Sequence, residues 1–376
     1  MIHTDQRNPV QTMPAYSADT ELLTRHGWLT FNQVTNAHDV ATRTPDGYFQ
    51  WQRPNRIRWE PYTGEMVWFH SRTVDLLVTP DQAILNRPRV RRWVDGTLTE
   101  LPRRDHVTAA GDVGGTDHRV LVATSQWKPV TAKTEITLVS PPVRADGSRN
   151  VGQPPQEFTA NASDFAAFMG MFLSEGYIGS TRTGDYPIYI TQTQKGNGFR
   201  QYQELLNRIT GREIPWRPGS NGSWCFRNKA LYGYLEACGK YAWGKRIPRE
   251  ILDLNAEHLE TFWHYYWLGD GATMRSKGRK DIEVIQTTSR DIADAFQEVL
   301  QKLGTWSIVH RTDGVTNKFG RRTIYRVLRR AGDIAFATHI ERTSYQGMTG
   351  SVAVPNGAIY VRRNNHPVWA GSSSLS

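Results

Sequence analysis

Two periodicities divide this chain. From residue 19 to about 130, apolar positions alternate with polar ones or run for four to eight residues. TELLTRHGWLTF, GYFQWQ, EMVWFHS and VDLLVTPDQAIL are examples, with Gly, Pro, Asn and Asp at the joins. That period predicts strands, and the stretch is expected to be an all-β module. Around 141–157 the composition turns to Pro, Gly and polar residues (PPVRADGSRNVGQPPQ), which reads as a linker. Helical periodicity starts after it. SDFAAFMGMFLSE opens with Ser163 or Asp164 as an N-cap and carries a long apolar stripe. An extended pair and the amphipathic NGFRQYQELLNRIT follow. A second unit repeats that order in AEHLETFWHYYWLGD, DIEVIQTTS and RDIADAFQEVLQKLG. From about residue 344 the β pattern returns in GSVAVPNGAIYVRRNN, ahead of a Ser-rich tail. The expected fold class is α+β, with a duplicated helical unit between two β pieces.

At 376 residues the chain is long enough for two or three compact cores. The 46 Lys and Arg against 36 Asp and Glu leave a net charge of +10, which favours a polyanionic partner, most commonly nucleic acid. Cys225 and Cys238 form no C-x-x-C pair, which argues against a thiolate zinc site or a disulfide framework. The N-terminal MIHTDQRNPVQTMP lacks an apolar signal region, and no run of 18 apolar residues occurs. The expectation is a soluble intracellular protein without a membrane, in the cytoplasm of a bacterial or phage-infected host or in a eukaryotic nucleus.

Within each helical unit, an apolar helix ends in an acid followed by glycine. These are FMGMFLSEG, with Glu175 and Gly176, and FWHYYWLGDG, with Asp270 and Gly271. One such helix end is unremarkable, but here two lie 95 residues apart. Each precedes an apolar-x-Gln strand, ITQ ending at Gln192 and VIQ ending at Gln286, and then an amphipathic helix. In this conjunction the chain resembles the single-chain LAGLIDADG homing endonucleases. The resemblance implies a duplicated αββαββα nuclease domain whose two motif helices pack side by side, so that their terminal acids converge on bound metal. By position, Glu175 and Asp270 would hold Mg²⁺ (or Mn²⁺), with Gly176 and Gly271 beside them. Hard oxygen ligands and two carboxylates suit that ion, and a metal pair can clamp both oxygens of phosphodiester hydrolysis. Gln192 and Gln286 match the family's polar strand residues. Lys245 in WGKRIP matches the basic residue that orders the attacking water and offsets developing charge. Its counterpart in the second repeat is open among Lys318, Arg321 and Arg322. The family packs small residues at the helix seam. Gly170, Ser174 and Gly269 obey that rule, whereas Tyr265 departs from it.

Contacts to double-stranded DNA are expected from strands that interleave basic, amide and Tyr side chains. The candidates are Arg182, Gln194, Lys195, Arg275, Lys277, Arg279, Lys280, Lys318, Arg321 and Arg322. In the major groove Arg reads guanine and Gln or Asn reads adenine. The two half-units differ at most positions, which predicts a monomer on a long, asymmetric site with no obligate protein partner.

The flanking β pieces resemble an intein-like Hint domain. AYSADTELLTRHGWLTF resembles its opening block, VDLLVTPDQAIL its T-x-x-H block, and GSVAVPNGAIYVRRNNHPVWAGSS its terminal blocks. Splicing needs a nucleophile, a group to shuttle a proton, and a terminal Asn to cyclise. Ala15, Gln82 and Ser372 stand at those positions. An alternative route through an internal Cys and a Trp meets Ser351 and Leu85. The Hint scaffold is therefore expected to be splicing-inactive, either a free-standing descendant of an intein or an engineered inactive form. Expected divisions are an extension at 1–14, Hint-like β at 15–140, a linker at 141–160, nuclease repeats at 161–255 and 256–343, and Hint-like β at 344–376. Two other readings stand beside the endonuclease. A self-splicing intein lacks its nucleophiles here, and a non-cleaving maturase or repressor would have lost a motif acid, yet both acids are present.

Overall fold

The computed structural model describes residues 13–88, 91–100, 104–114, 120–127, 133–140, 155–180, 186–219, 222–275, 280–317 and 320–373. The chain divides into two compact units. One comprises Met1–Gln126, Gly304–Ile308 and Ala331–Ser376; the other comprises Trp127–Leu303 and Val309–Arg330.

The first unit is all β among its described residues apart from two short 3-10 turns. Its Tyr16–Ser17, His339–Ala353, Arg56–His70 and Asp75–Val78 close a barrel. The two 15-residue strands pair antiparallel over their whole length, from Arg56 opposite Ala353 to His70 opposite His339. Beside the barrel, Glu21–Thr24, Val40–Arg43, Tyr48–Gln52, Ala358–Arg363 and His366–Gly371 share one sheet. Inward-facing Tyr16, Leu22, Phe31, Phe69, Val78, Ile359 and Val368 make the core. The alternation of apolar residues puts these side chains on one face of each strand.

The second unit follows the helical periods. Its helices are α1 (Ala162–Glu175), α2 (Phe199–Thr210), α3 (Lys229–Ala237), α4 (Arg249–Leu252), α5 (Ala256–Asp270) and α6 (Arg290–Lys302). Asn161, Asn255 and Ser289 cap α1, α5 and α6 through side-chain oxygens that accept the orphan N–H of the third helical residue. After α1 come Gly176–Ile178, Pro187–Thr191, α2 and Ser223–Arg227. After α5 come Gly271–Met274, Ile282–Thr287, α6, Trp306–Asn317 and Gly320–Arg330. The first set forms a three-stranded sheet and the second a four-stranded one. Phe165, Phe168, Phe172, Phe262, Trp263, Tyr266 and Phe296 fill the core between helices and sheets.

The unit divisions differ from the sequence reading. Glu135–Val139, expected in the first β module, pairs antiparallel with Glu157–Asn161, expected in the linker. Ile136 and Phe158 from this hairpin join the α1 core, so burial ties it to the second unit. At the other end, the first unit takes up the chain at Ala331, ahead of the expected residue 344.

Candidate active site

α1 and α5 lie side by side because neither has side chains in the way where they touch. A Cβ on Gly170 would stand 2.4 Å from the Phe262 carbonyl and 2.9 Å from the Tyr266 amide. One turn further on, a Cβ on Gly269 would meet Ser174 Oγ at 2.5 Å and Glu175 Cγ at 2.8 Å. Backbones can approach this closely only where a Cβ is missing. Tyr265, the large residue at the seam, is accommodated in two ways. Gly170 leaves space for its Cβ, and its ring turns to α2, stacking on Tyr202 at 6.2 Å. Tyr202 also donates its hydroxyl to the Tyr265 carbonyl at 2.8 Å.

This packing brings the last residues of both helices, Glu175 and Asp270, into one electrostatic cluster. Burial raises the Glu175 carboxyl above its ordinary range, and the Lys245 charge partly offsets that. Crowding by surrounding protein, then the Glu175 charge, pushes Asp270 up to about 7, again against Lys245. Asp270 nonetheless keeps access to solvent, so an ion or a phosphate can reach the acid. Beneath the acids, Tyr202 bonds Ser174 and Tyr266 bonds Thr287. Both phenols are held far above their usual range by burial, with the two carboxylate charges acting in the same direction.

Lys245 is 5% exposed. Its Nζ donates to the carbonyls of Phe172 (2.9 Å), Leu173 (3.0 Å) and Gly176 (2.8 Å). These are carbonyls of the α1 C-terminus and the residue just after it, where a cation is favoured. Burial lowers the ammonium to about 8, opposed by Asp270 and Glu175. All three of its N–H donors are therefore taken by backbone. A direct role in ordering water is not visible here; what Lys245 brings to the acids is fixed charge.

The other candidates fall apart into groups. Gly176 shares its carbonyl with Lys245, and Gly271 opens a strand opposite Ile285. Gln192 Oε1 accepts from the Thr193 amide at 3.0 Å, while Gln286 is exposed opposite Arg326. Neither amide hydrogen-bonds to Glu175 or Asp270 among the described residues. Gln194, Lys195, Arg275, Lys280 and Arg321 are exposed. Arg322 lies over the Trp243 ring at 4.3 Å. Arg182, Lys277, Arg279 and Lys318 lie outside the described residues. Among the described residues, no second lysine stands to Asp270 as Lys245 does to Glu175. The strand Gly320–Arg330 ends the second unit, with no segment after it like the one that carries Lys245.

Register identifies surface residues that residue type alone does not. On the first sheet, Ile188, Ile190, Trp224 and Phe226 point inward. The outward row is Tyr177, Tyr189 and Cys225, neighbours in register, with Arg227 exposed at its end. Tyr177 and Tyr189 stack at 4.7 Å. On the second sheet Gln286 and Arg326 form the outward pair. Alternation in PIYIT and SWCFR was the available signal for Tyr189 and Arg227; the pairing partners were not.

In the first unit, Ala15, Thr79, Gln82 and Gly371–Ser372 also meet. The Ala15 amide donates to Thr79 Oγ1 at 2.9 Å, and the Thr79 amide returns a bond to the Ala15 carbonyl at 3.0 Å. Gln82 Nε2 and the Tyr16 hydroxyl both donate to the Gly371 carbonyl, at 2.6 and 2.5 Å. The Ser372 amide donates to Gly357 at 2.7 Å, and Ser351 is buried in the long barrel strand opposite Arg58.

Asp270 carries a consequence for stability. The folded chain holds a proton that the unfolded chain releases near pH 4. The stability associated with this proton is present at low pH and is lost as pH rises from about 4 to about 7. In chelator, Asp270→Asn is expected to raise the melting temperature by a few degrees at pH 8, on the order of 1 kcal/mol after discounting for solvent access, and to leave it unchanged near pH 4. Thermal melts of both proteins at the two pH values check this. Equal shifts at both would remove Asp270 as the cause.

No group of three or more His, Cys, Asp and Glu side chains able to hold a metal occurs among the described residues. The donor set here is a carboxylate pair, which fits an ion that takes its remaining ligands from phosphate and water. No helix among the described residues is long and apolar enough to cross a membrane.

Residues 257–339 match the model of the LAGLIDADG-like domain. The chain is 23% identical over 418 aligned positions to the DNA-directed RNA polymerase subunit beta C-terminal section of Stigeoclonium helveticum, covering 96% of this chain and 36% of that protein. It spans little more than a third, or less, of the length of the curated relatives it matches. Among solved structures, I-DmoI in complex with DNA and Mn is 18% identical with a TM-score of 0.33, over 45% of this chain and 90% of that one. A splice-inactive AceL NrdHF class 3 split intein is 14% identical with a TM-score of 0.19, over 39% of this chain and 84% of that one.

Proposed function

We propose that the chain is a site-specific DNA endonuclease of the LAGLIDADG homing type. It would make metal-dependent double-strand breaks in a long asymmetric site, as a duplicated nuclease joined to a splicing-inactive Hint scaffold. The observation that carries this reading is the convergence of Glu175 and Asp270 at the ends of two glycine-seamed helices, with a buried cation beside them. The domain match over 257–339 supports the second half of it. Two carboxylates both raised by burial, one of them further by the other's charge, are a site that gains by neutralisation, and a divalent cation neutralises better than a proton at neutral pH.

Mg²⁺ or Mn²⁺ held by Glu175 and Asp270 would activate water and offset charge on the leaving oxygen. This chain's own residues do the rest. α1 and α5 fix the spacing of the acids, and the seam glycines keep it short. Lys245 is a positioning residue: it holds the α1 terminus and keeps positive charge under both carboxylates. The unlike outward faces, Tyr177–Tyr189–Cys225 on one sheet and Gln286–Arg326 on the other, suit two different half-sites. The test is selection. The protein is incubated in Mg²⁺ with a randomised duplex library, and cut molecules are recovered and sequenced. A single long, non-palindromic site, cut on both strands, is expected; no enrichment of any sequence sinks the reading.

For the first unit we propose that neither splicing nor self-cleavage occurs. Ala15 has no nucleophile, and Gln82 lacks a group that titrates near neutrality. Ser372 cannot form the cyclic imide an Asn forms. The hydrogen bonds from Gln82 and Tyr16 to Gly371 instead tie the two ends of the β unit together. A version carrying foreign sequences at both ends should keep a single intact mass after prolonged incubation, with or without thiol. A ligated product, or a fragment cut beside Ala15 or Ser372, would count against it.

A further inference from the structure

Between α3 and α4 the chain makes a tight loop whose tip carries two aromatic rings in solvent. The Arg246 amide donates to the Cys238 carbonyl at 2.8 Å and closes its base, and the Gly244 amide donates to Tyr241 at 2.9 Å. Gly239, at φ +103°, is where the loop folds on itself: a Cβ there would meet the Gly244 carbonyl at 2.2 Å. On this frame Tyr241 and Trp243 stack with centroids 4.7 Å apart and planes 2° from parallel. They are 53% and 47% exposed. Large aromatic rings gain by burial, so a rigid loop that holds two of them stacked in water calls for a partner.

The surroundings say which partner. Arg322 braces Trp243 at 4.3 Å, and Lys240 hangs over Tyr241 at 5.7 Å. Arg322 Nε is buried and has no hydrogen-bond partner among the described residues. Lys240 and Arg246 are exposed. The pair is two residues from Lys245, whose Nζ reaches the carbonyl next to Glu175. Flat π-faces ringed by cations match the chemistry of a nucleobase and its phosphates.

We propose that Tyr241, backed by Trp243 and Arg322, is a nucleobase-stacking platform that engages a base of the bound DNA beside the cleavage centre. This rests on the endonuclease reading. Tyr241 offers the open end of the stack, Trp243 keeps its ring from turning, and Lys240 and Arg322 meet the flanking phosphates. A base leaving the helix stack, or one at a widened step, would lie against Tyr241 and hold the strand near the acids.

The test uses the full chain with Glu175→Gln to prevent cutting, and a duplex recovered from the randomised library with 5-iodouracil placed in turn at positions around the cut. Tyr241→Ala is expected to weaken binding about 5- to 100-fold, as loss of one base–aromatic stack does, with the log–log salt slope unchanged. Tyr241→Phe should bind like the parent. Lys240→Ala should instead lower the magnitude of the salt slope by about one. Irradiation should crosslink one position to the 241–243 segment, located by peptide mass, and Tyr241→Ala should lose it. Unchanged affinity in Tyr241→Ala, or crosslinks only elsewhere, overturns the platform and leaves the nuclease reading standing. A library in which nothing is cut or bound overturns both. A change in the salt slope in Tyr241→Ala would reassign the effect to displaced cations and also refute stacking.

Discussion

Glu175→Gln and Asp270→Asn should each reduce double-strand cleavage of the selected duplex by at least about 10²–10³-fold, the cost of losing one group that stabilises developing charge. DNA affinity in chelator should hold or rise, because each change removes a negative charge from a surface meant to face phosphate. The two variants should differ in stability. Asp270 is the more strongly perturbed acid, raised by crowding and by the Glu175 charge, so Asp270→Asn relieves the larger penalty. The pairing of lost activity with gained stability separates a catalytic acid from a structural one, which would lose stability when its charge is removed. The readouts are cleavage on gels in Mg²⁺, binding in chelator, and melting curves. Cleavage at the parent rate by both variants would end the assignment of these residues. Activity lost together with binding and stability would show the acids to be structural.

Much of this arrangement is legible along the chain. Helix periods and the acid–Gly ends identify α1 and α5, and the small residues Gly170, Ser174 and Gly269 announce a close approach. The β strands of the first unit, from Glu21–Thr24 to Ala83–Asn86, fall where short apolar runs and alternating stretches mark them. What is not legible depends on contacts distant in sequence. The alternation in EITLV and EFTAN marks two strands, but their pairing with each other, and hence their place on the α1 core, is set by burial of Ile136 and Phe158. Tyr265 looks misplaced until Tyr202 supplies its stacking partner 63 residues away. Lys245 is marked by its neighbours WGKRIP, but the capture of its three N–H bonds by the end of α1 is a tertiary fact. The outward row Tyr177–Tyr189–Cys225 and the Tyr241–Trp243 stack carry no charge pattern of their own. They become visible only once register and loop closure fix which side each ring occupies.

The seam glycines should separate stability from catalysis. Gly170→Ala places a methyl group against the Phe262 carbonyl and the Tyr266 amide, both backbone atoms of α5 that cannot rotate aside. The substitution gains about 1 kcal/mol of helix propensity in α1. Overpacking a rigid contact costs about 1–3 kcal/mol, and a 2.4 Å approach to backbone belongs at the upper end. The clash should win, with a net loss of about 1–2 kcal/mol and a melting temperature lower by several degrees. Gly170→Val adds two further methyl groups to that overlap and the β-branch penalty, so the helices must part and the second unit should lose cooperative unfolding. Gly269→Ala differs in kind. Its new methyl meets Ser174 Oγ and Glu175 Cγ, which can turn, and Ser174 Cβ at 2.9 Å, which needs only a small shift of α1. The fold should therefore absorb it within about 1 kcal/mol, since the helix-propensity gain offsets most of the strain. The Glu175 carboxyl moves, however, and misplacing a reacting group by about 1 Å costs on the order of 10²-fold in rate. Melting curves and cleavage rates on the same preparations check both halves. If Gly170→Ala melts at or above the parent temperature, the helices do not approach as closely at that turn as the structure has them. If Gly269→Ala cuts at the parent rate, Glu175 is not held in place by this seam, and the spacing of the acids must be set by the Lys245 end of α1 instead.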